Sequence, residues 1–191
     1  MPPRTEQQFG EIRELRKTDI MQAGLELFGQ FSIESTSIAM IAKKAGISKG
    51  LIYNYFESKE SLIVAIVTDG LQKFTDVIPQ IENTALSKPQ LINYLEVTFT
   101  VLENNISYWK LYFSILLQPS VMKLVESQLM ETLMPIIQLM TGYYKNLGYS
   151  NPMAHAMFLG ATLDGISMNY MINPKEFPLQ EIKNILIQKL L

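Results

Sequence analysis

The side chains best suited to chemistry lie in one window, "IAKKAGISKGLIYNYFESKESL", Ile41–Leu62. Four lysines (Lys43, Lys44, Lys49 and Lys59) stand against two acids, and Tyr53, Tyr55 and Phe56 fall within four positions. Ammonium groups neutralise phosphates, while tyrosine hydroxyls and asparagine amides donate to phosphate oxygens and base edges. That is the chemistry of holding a polyanion rather than of making bonds. The rest of the chain offers little for catalysis: no cysteine, one histidine, no glycine-rich phosphate loop and no G-x-S-x-G elbow. His155, without a second His or a Cys, is a poor metal ligand. The expectation is a protein that is not an enzyme and carries neither cofactor nor metal.

Bulk charge conceals this window. Net charge over the 191 residues is −2. Residues 1–60 balance 8 basic against 8 acidic side chains, residues 61–191 hold 8 against 10, and Ala39–Lys59 holds 4 against 1. Positive charge is focused rather than global. With 48% hydrophobic residues the chain should bury a substantial core. The lack of cysteine fits a reducing cytosol, and "MPPRTEQQFGEIREL" lacks the apolar stretch of a signal peptide. The longest uncharged run, Asn146–Leu163, is interrupted by Gly148, Asn151, Pro152 and His155. A cytoplasmic chain with no membrane segment is expected.

The elements that must position the window are helical. Strand-like alternation is scarce and apolar spacing of three to four is common, so the expected fold class is all-α. Ile12, Leu15, Ile20, Leu27 and Phe28 mark a first helix from about Glu11 to Phe31. Thr36 is read as the N-cap of a short helix with Ile38, Ile41, Ala42 and Ala45 on one face. Gly46 suits a left-handed C-terminal turn. Ser48 caps a second short helix, Lys49 to about Phe56, whose Ile52 and Phe56 face the core. Ser58 caps a fourth helix ending near Pro79. The middle of this order is a helix–turn–helix. Lys49 and Gly50 open its second helix, the end that approaches base edges, and Gly50 clears space for close backbone approach. Tyr53, Asn54 and Tyr55 fall on or near the side opposite the core stripe, and Lys59 lies at a helix N-terminus, which favours a phosphate. Further helices are expected over Lys88–Asn105, Ser107–Gln118, Ser120–Leu147, Met153–Ile172 and Leu179–Leu190, with Pro119 a break and Pro135 kinking or splitting its segment.

The run "ESTSIAMIAKKAGISKGLIYNYFESKESL" closely resembles the DNA-binding region of the TetR family of bacterial transcriptional regulators. Thr36, Ser37, Ile38, Ile41, Ala42, Ala45, Gly46, Ile47, Ser48, Gly50, Ile52, Tyr53, Tyr55, Phe56, Ser58, Lys59 and Leu62 are in register with its pattern, and the resemblance covers about residues 10–65. It implies phosphate contacts from Thr36, Ser37, Ser48, Tyr53, Tyr55 and Lys59, and base approach by Lys49, Gly50, Leu51 and Asn54. Ala39 departs from the pattern, because many relatives carry an arginine or other polar residue there. Leu51 offers only apolar contact, such as to a thymine methyl. The implied organisation is a helix–turn–helix domain over residues 1–57 and a larger helical ligand-binding and dimerisation domain over 58–191.

For that second domain the resemblance implies a homodimer and a small-molecule pocket. Ala156 with Gly160, and Ala161 with Gly165, are small residues four apart that let another helix approach closely, whether a partner's or the chain's own. The implied interface is built from Ser127–Leu147 and Met153–Ile172 with their symmetry mates. A two-fold dimer calls for a pseudo-palindromic double-stranded DNA operator. Pocket candidates are Tyr94, Phe99, Trp109, Tyr112, Phe113, Met157 and Tyr170, residue types that equally suit a plain core. No basic cluster accompanies them, so the expected effector is largely apolar. Asp164 fits three roles: internal hydrogen bonding, a pocket anchor or a dimer contact. The expected function is a sequence-specific transcriptional regulator, a repressor released from its operator by a small molecule. The alternative is a helical small-molecule binder without DNA-binding function, against which the intact Ser48–Phe56 motif argues.

Overall fold

A computed structural model describes residues 6–76 and 86–190, apart from the side chains of Phe74 and Leu190. Among the described residues every regular element is a helix: α1 Glu6–Phe31, α2 Ile38–Lys44, α3 Lys49–Ile52, α4 Lys59–Thr75, α5 Lys88–Asn104, α6 Ile106–Leu116, α7 Pro119–Asn146, α8 Pro152–Ile172 and α9 Leu179–Leu190. The chain divides into two units. One holds the residues up to Gly70 together with Leu111–Glu126, and the other Leu71–Lys110 together with Ser127 onward.

The first unit is organised by α1 and α4. Ile20, Ala23, Leu25, Leu27 and Phe28 of α1 are buried, as are Leu62, Ile63, Ile66 and Val67 of α4. Full burial of such a side chain contributes about 1.5–3 kcal/mol. The helices meet at Gly24, where an added β-carbon would lie 3.1 Å from Ile66 Cδ1 and 3.3 Å from Leu62 Cδ2. Gly70 is similarly constrained, because a β-carbon there would overlap the Tyr112 ring, whose hydroxyl donates to Val67 O at 2.9 Å. Ile38, Ile41 and Ala42 of α2, Ile52 of α3 and Phe56 complete this core.

Three local expectations need correction. α1 is already helical at Glu6, the first described residue, rather than from near Glu11, since polar early turns carry no apolar periodicity to mark them. The N-cap of α2 is Ser37, whose hydroxyl accepts from Met40 N at 3.3 Å, not Thr36. Thr36 is 1% exposed and donates its hydroxyl inward to Ser32 O at 2.7 Å, with Leu27 O at 3.2 Å. Pro135 does not split its segment but sits inside a continuous α7. It and Glu131, whose carbonyl loses its helical donor, are exposed, so water can satisfy that carbonyl. The expected end of the fourth helix near Pro79 lies outside the described residues.

In the second unit, Ser87 and Gln90 form a reciprocal capping box at the start of α5. Gly148 (φ +81°) closes α7, with Tyr149 N donating to Tyr144 O at 3.2 Å, and Asn151 caps α8. Lys183 of α9 is 6% exposed; its Nζ lies 3.2 Å from Glu96 Oε2 of α5 and 5.6 Å from the centre of the Phe99 ring. Among the described residues no helix is long and apolar enough to cross a membrane.

Candidate nucleic-acid interface

The turn between α2 and α3 is set by its own residues. Gly46 adopts φ +67°, which L side chains rarely tolerate, and Ile47 N reaches back to Ala42 O at 3.0 Å. Ser48 then caps α3 by accepting from Leu51 N at 3.2 Å. α3 is shorter than expected. Beyond Ile52 the chain tightens, with Asn54 N donating to Leu51 O and Tyr55 N to Ile52 O, three residues back in each case. Ser58 and Ser61 exchange backbone-to-hydroxyl bonds at 3.0 Å each to open α4.

This framework sorts the expected contacts. Ile52 and Phe56 are buried and hold the segment down. Ser37, Ser48, Lys49, Gly50, Tyr53 and Asn54 are exposed, and Leu51 and Tyr55 are half-buried. Gly50 is informative because the protein itself makes no demand for it. It has no positive φ, and an added β-carbon would meet nothing within 4 Å. Its missing side chain leaves open space on the outer surface beside Lys49.

Two expected phosphate contacts are otherwise engaged. Thr36 is buried, with its hydroxyl directed inward as described above. Lys59 is half-buried, and its ammonium donates to Ile33 O at 2.9 Å and Thr36 O at 3.2 Å, tying the α1–α2 connection to α4. Lys44 is 2.7 Å from Glu26 Oε2 of α1. The hydrogen bond from Lys44, followed by that from Gln22, holds the Glu26 carboxyl below the usual carboxylate range. The positive charge of the window is therefore partly used inside the domain, while Lys43 and Lys49 remain exposed.

Sequence reasoning missed Arg13. Its Nη2 donates to Asn54 O at 3.2 Å, and its guanidinium sits 5.1 Å from the centre of the Tyr55 ring. The contact spans 41 positions, so no local spacing reveals it. The available signal was the basic cluster Arg13, Arg16 and Lys17 on α1.

The pocket candidates separate by burial. Tyr94, Phe99, Trp109 and Tyr112 are buried core residues, and Trp109 Nε1 donates to Val101 O at 2.9 Å. Phe113 and Tyr170 are half-buried and Met157 is exposed. None of the seven lines the cleft of about 370 Å³ walled by Tyr144, Tyr149, Ala154, His155, Phe158 and Lys189.

α8 explains the small-residue pairs. Ala156, Leu159, Leu163 and Met171 are buried within the unit, while Met153, Met157, Phe158, Ala161, Gly165, Met168 and Ile172 face outward. A helix apolar on both sides has a second face to bury. Ala156 lies on the inner face, and Ala161 with Gly165 on the outer one. Asp164 shares that outer face, and desolvation pushes its carboxyl above its ordinary value.

Residues 20–66 match the family of bacterial regulatory proteins, tetR family. Among curated proteins, the HTH-type transcriptional regulator BetI of Proteus mirabilis is 39% identical over 54 residues, which is 28% of this chain and 27% of that relative's length. The likeness to solved structures extends over most of the chain. The transcriptional regulator FadR from Bacillus subtilis, solved in complex with stearoyl-CoA, aligns with a TM-score of 0.72 at 18% identity over 91% of this chain and 96% of that one. NalD, the secondary repressor of the MexAB-OprM efflux pump in Pseudomonas aeruginosa, aligns with a TM-score of 0.72 at 16% identity over 93% and 96%. At these identities the structures establish the all-α fold and nothing finer.

Proposed function

We propose that this chain, whose N-terminal domain belongs to the tetR family of bacterial regulatory proteins, is a homodimeric, sequence-specific DNA-binding regulator that represses transcription until a small molecule releases it. The observation that carries the reading is the outer surface of α3. Lys49, Tyr53 and Asn54 are displayed on a rigidly capped turn, and Gly50 leaves a gap that the fold does not require. Ser37 and Ser48 present backbone and hydroxyl groups to phosphates, Lys49 and Asn54 read base edges, and Leu51 meets a thymine methyl. Tyr53 and Tyr55 donate to phosphates, with Arg13 steadying Tyr55 and adding its charge to the same face. Thr36 and Lys59 act as internal braces.

The outer face of α8 supports the homodimer, with Ala161 and Gly165 permitting close helix approach. We assign DNA binding to residues 1–57 and effector binding and dimerisation to 58–191. Two recognition segments about 34–36 Å apart would meet successive major grooves of a pseudo-palindromic operator. The effector is a largely apolar small molecule bound within residues 58–191, where Tyr170 is half-buried and Tyr94, Phe99 and Trp109 are buried. It releases DNA only through a difference in affinity between two states of the dimer. Such a protein works in the cytoplasm, where its DNA is, and needs no catalytic group.

The test is selection from random duplex DNA, repeated across salt concentrations. An enriched inverted repeat with steeply salt-dependent affinity is expected. Recovery of no sequence, with retained small-molecule binding, would instead leave a helical binder without DNA function.

A further inference from the structure

We propose that the cleft where α7 turns into α8 is a separate binding site for a small planar aromatic carboxylate. It measures about 370 Å³, within the range that small-molecule sites occupy. Its walls are largely aromatic. Tyr149 and His155 lie with ring centres 4.3 Å apart, Tyr149 and Tyr144 5.3 Å apart, and Tyr144 and His155 5.4 Å apart. Phe158, 57% exposed, stands at the edge. The rings are fixed by the helix ends that carry them. Tyr144 is 3% exposed near the end of α7, Tyr149 follows the left-handed turn at Gly148, and His155 lies one turn after the Asn151 cap. A concave site of fixed rings receives a flat apolar ring by stacking and edge contacts at little ordering cost.

Charge selects the sign of the ligand. Among the described lining residues Lys189 is the one with a permanent charge, and it is exposed on α9. Burial pushes the Tyr144 hydroxyl up to about 12, so that wall is neutral at physiological pH, and the positive charge of the described lining comes from Lys189. A ring carrying a carboxylate satisfies both features, whereas a cation would meet like charge. None of the seven aromatic and methionine effector candidates lines this cleft, and it shares with the outer face of α8 only Phe158, at its edge.

The chain's single histidine provides a direct probe. The Hε1 resonance of His155 in the full-length protein is followed by NMR while 2-naphthoate, and separately neutral 2-naphthol, is added. Saturable displacement by 2-naphthoate is expected, with about fivefold weaker binding of 2-naphthol and a similar loss for naphthoate in Lys189→Gln, as an exposed charge pair provides. Tyr149→Ala, at an exposed turn position, should weaken both compounds alike. Absence of a saturable shift, equal affinity for the two compounds, or unchanged naphthoate binding in Lys189→Gln would each overturn the proposal.

Discussion

The surface around α3 and the outer face of α8 are both exposed in a single chain, yet their chemistry is opposite. Around α3 the exposed groups are Ser37, Ser48, Lys49, Tyr53 and Asn54, with a vacant position at Gly50. On α8 they are Met153, Met157, Phe158, Met168 and Ile172 around Ala161 and Gly165. Water solvates the first set well, so a phosphate backbone can replace it reversibly, and salt competes with that exchange. The second set is poorly served by water and would favour an apolar, long-lived occupant. Mutations around α3 should therefore alter DNA affinity without altering self-association, whereas mutations of the α8 face should alter self-association and, through it, operator binding.

The largest effect belongs to the α8 face. Ala161→Arg places a charge where a partner helix should pack, and two-fold symmetry doubles it. An unpaired charge buried at an interface costs about 3–5 kcal/mol, so the dimer should give way to a folded monomer in light scattering. Operator affinity should fall with it, because one half-site contact is lost. A dimer of undiminished stability would remove this face from the interface.

Next is Gly50→Val. A β-carbon at this position would meet nothing within 4 Å beyond its own helix and chain neighbours, so thermal stability should hold to about 0.5 kcal/mol. Operator affinity should drop by roughly tenfold or more, as overpacking at a close contact costs about 1–3 kcal/mol. Unaltered affinity would show that the gap does not face DNA. Lys49→Ala follows: about tenfold weaker binding and a salt slope shallower by about 1. Neither variant should shift the monomer–dimer equilibrium.

The same two regions differ in how far they could be read from sequence. Around α3 the determinants are local. Gly46 needs its positive φ, Ser48 caps its own helix, and Ile52 with Phe56 forms a short stripe, all within a dozen positions. Residue types and spacing therefore gave both the turn and the exposed set. What spacing could not show there was non-local. Thr36 and Lys59 have the chemistry of phosphate ligands, but their bonds go to Ser32, Ile33 and the Thr36 carbonyl, and Arg13 arrives from 41 positions away. In α8 the apolar residues run around the whole helix, so periodicity cannot distinguish the inner face from the outer; only packing makes Leu159 buried and Met157 exposed. The aromatic pocket candidates show the same limit, because a Trp or Tyr suits a core and a ligand wall equally well.

A smaller effect separates the brace from the contact at neighbouring positions. Thr36→Val removes a buried hydroxyl that donates to Ser32 O and should cost about 1–3 kcal/mol in urea unfolding, with the salt slope of DNA binding unchanged. Ser37→Ala loses an exposed cap worth about 1 kcal/mol and should also weaken the operator complex. Equal behaviour of the two variants would erase the distinction drawn from their burial.

The smallest effects are two carboxylates whose pH responses have opposite sign. Glu26 is held below its ordinary value by Lys44 and Gln22, so its charged form is favoured by folding. That stabilisation is complete above the unfolded carboxylate range, near about pH 4–5, and is lost as pH falls through the lowered folded value. Asp164 is pushed up by desolvation, so folding favours its neutral form. Its cost is absent below the unfolded value of about 4, grows as pH rises, and is complete above the raised folded value. Thermal unfolding of Glu26→Gln and Asp164→Asn against the parent chain, from about pH 3 to about pH 7, isolates each group from the other titrations. At neutral pH Glu26→Gln should be the less stable and Asp164→Asn the more stable, and both differences should shrink toward zero on acidification. Asp164 also lies on the outer face of α8, so dimerisation desolvates it further if that face is the interface. The parent dimer should then tighten as pH falls, while the Asp164→Asn dimer should not. A pH-independent parent dimer would place Asp164 outside the contact and confine its effect to the stability of the single chain.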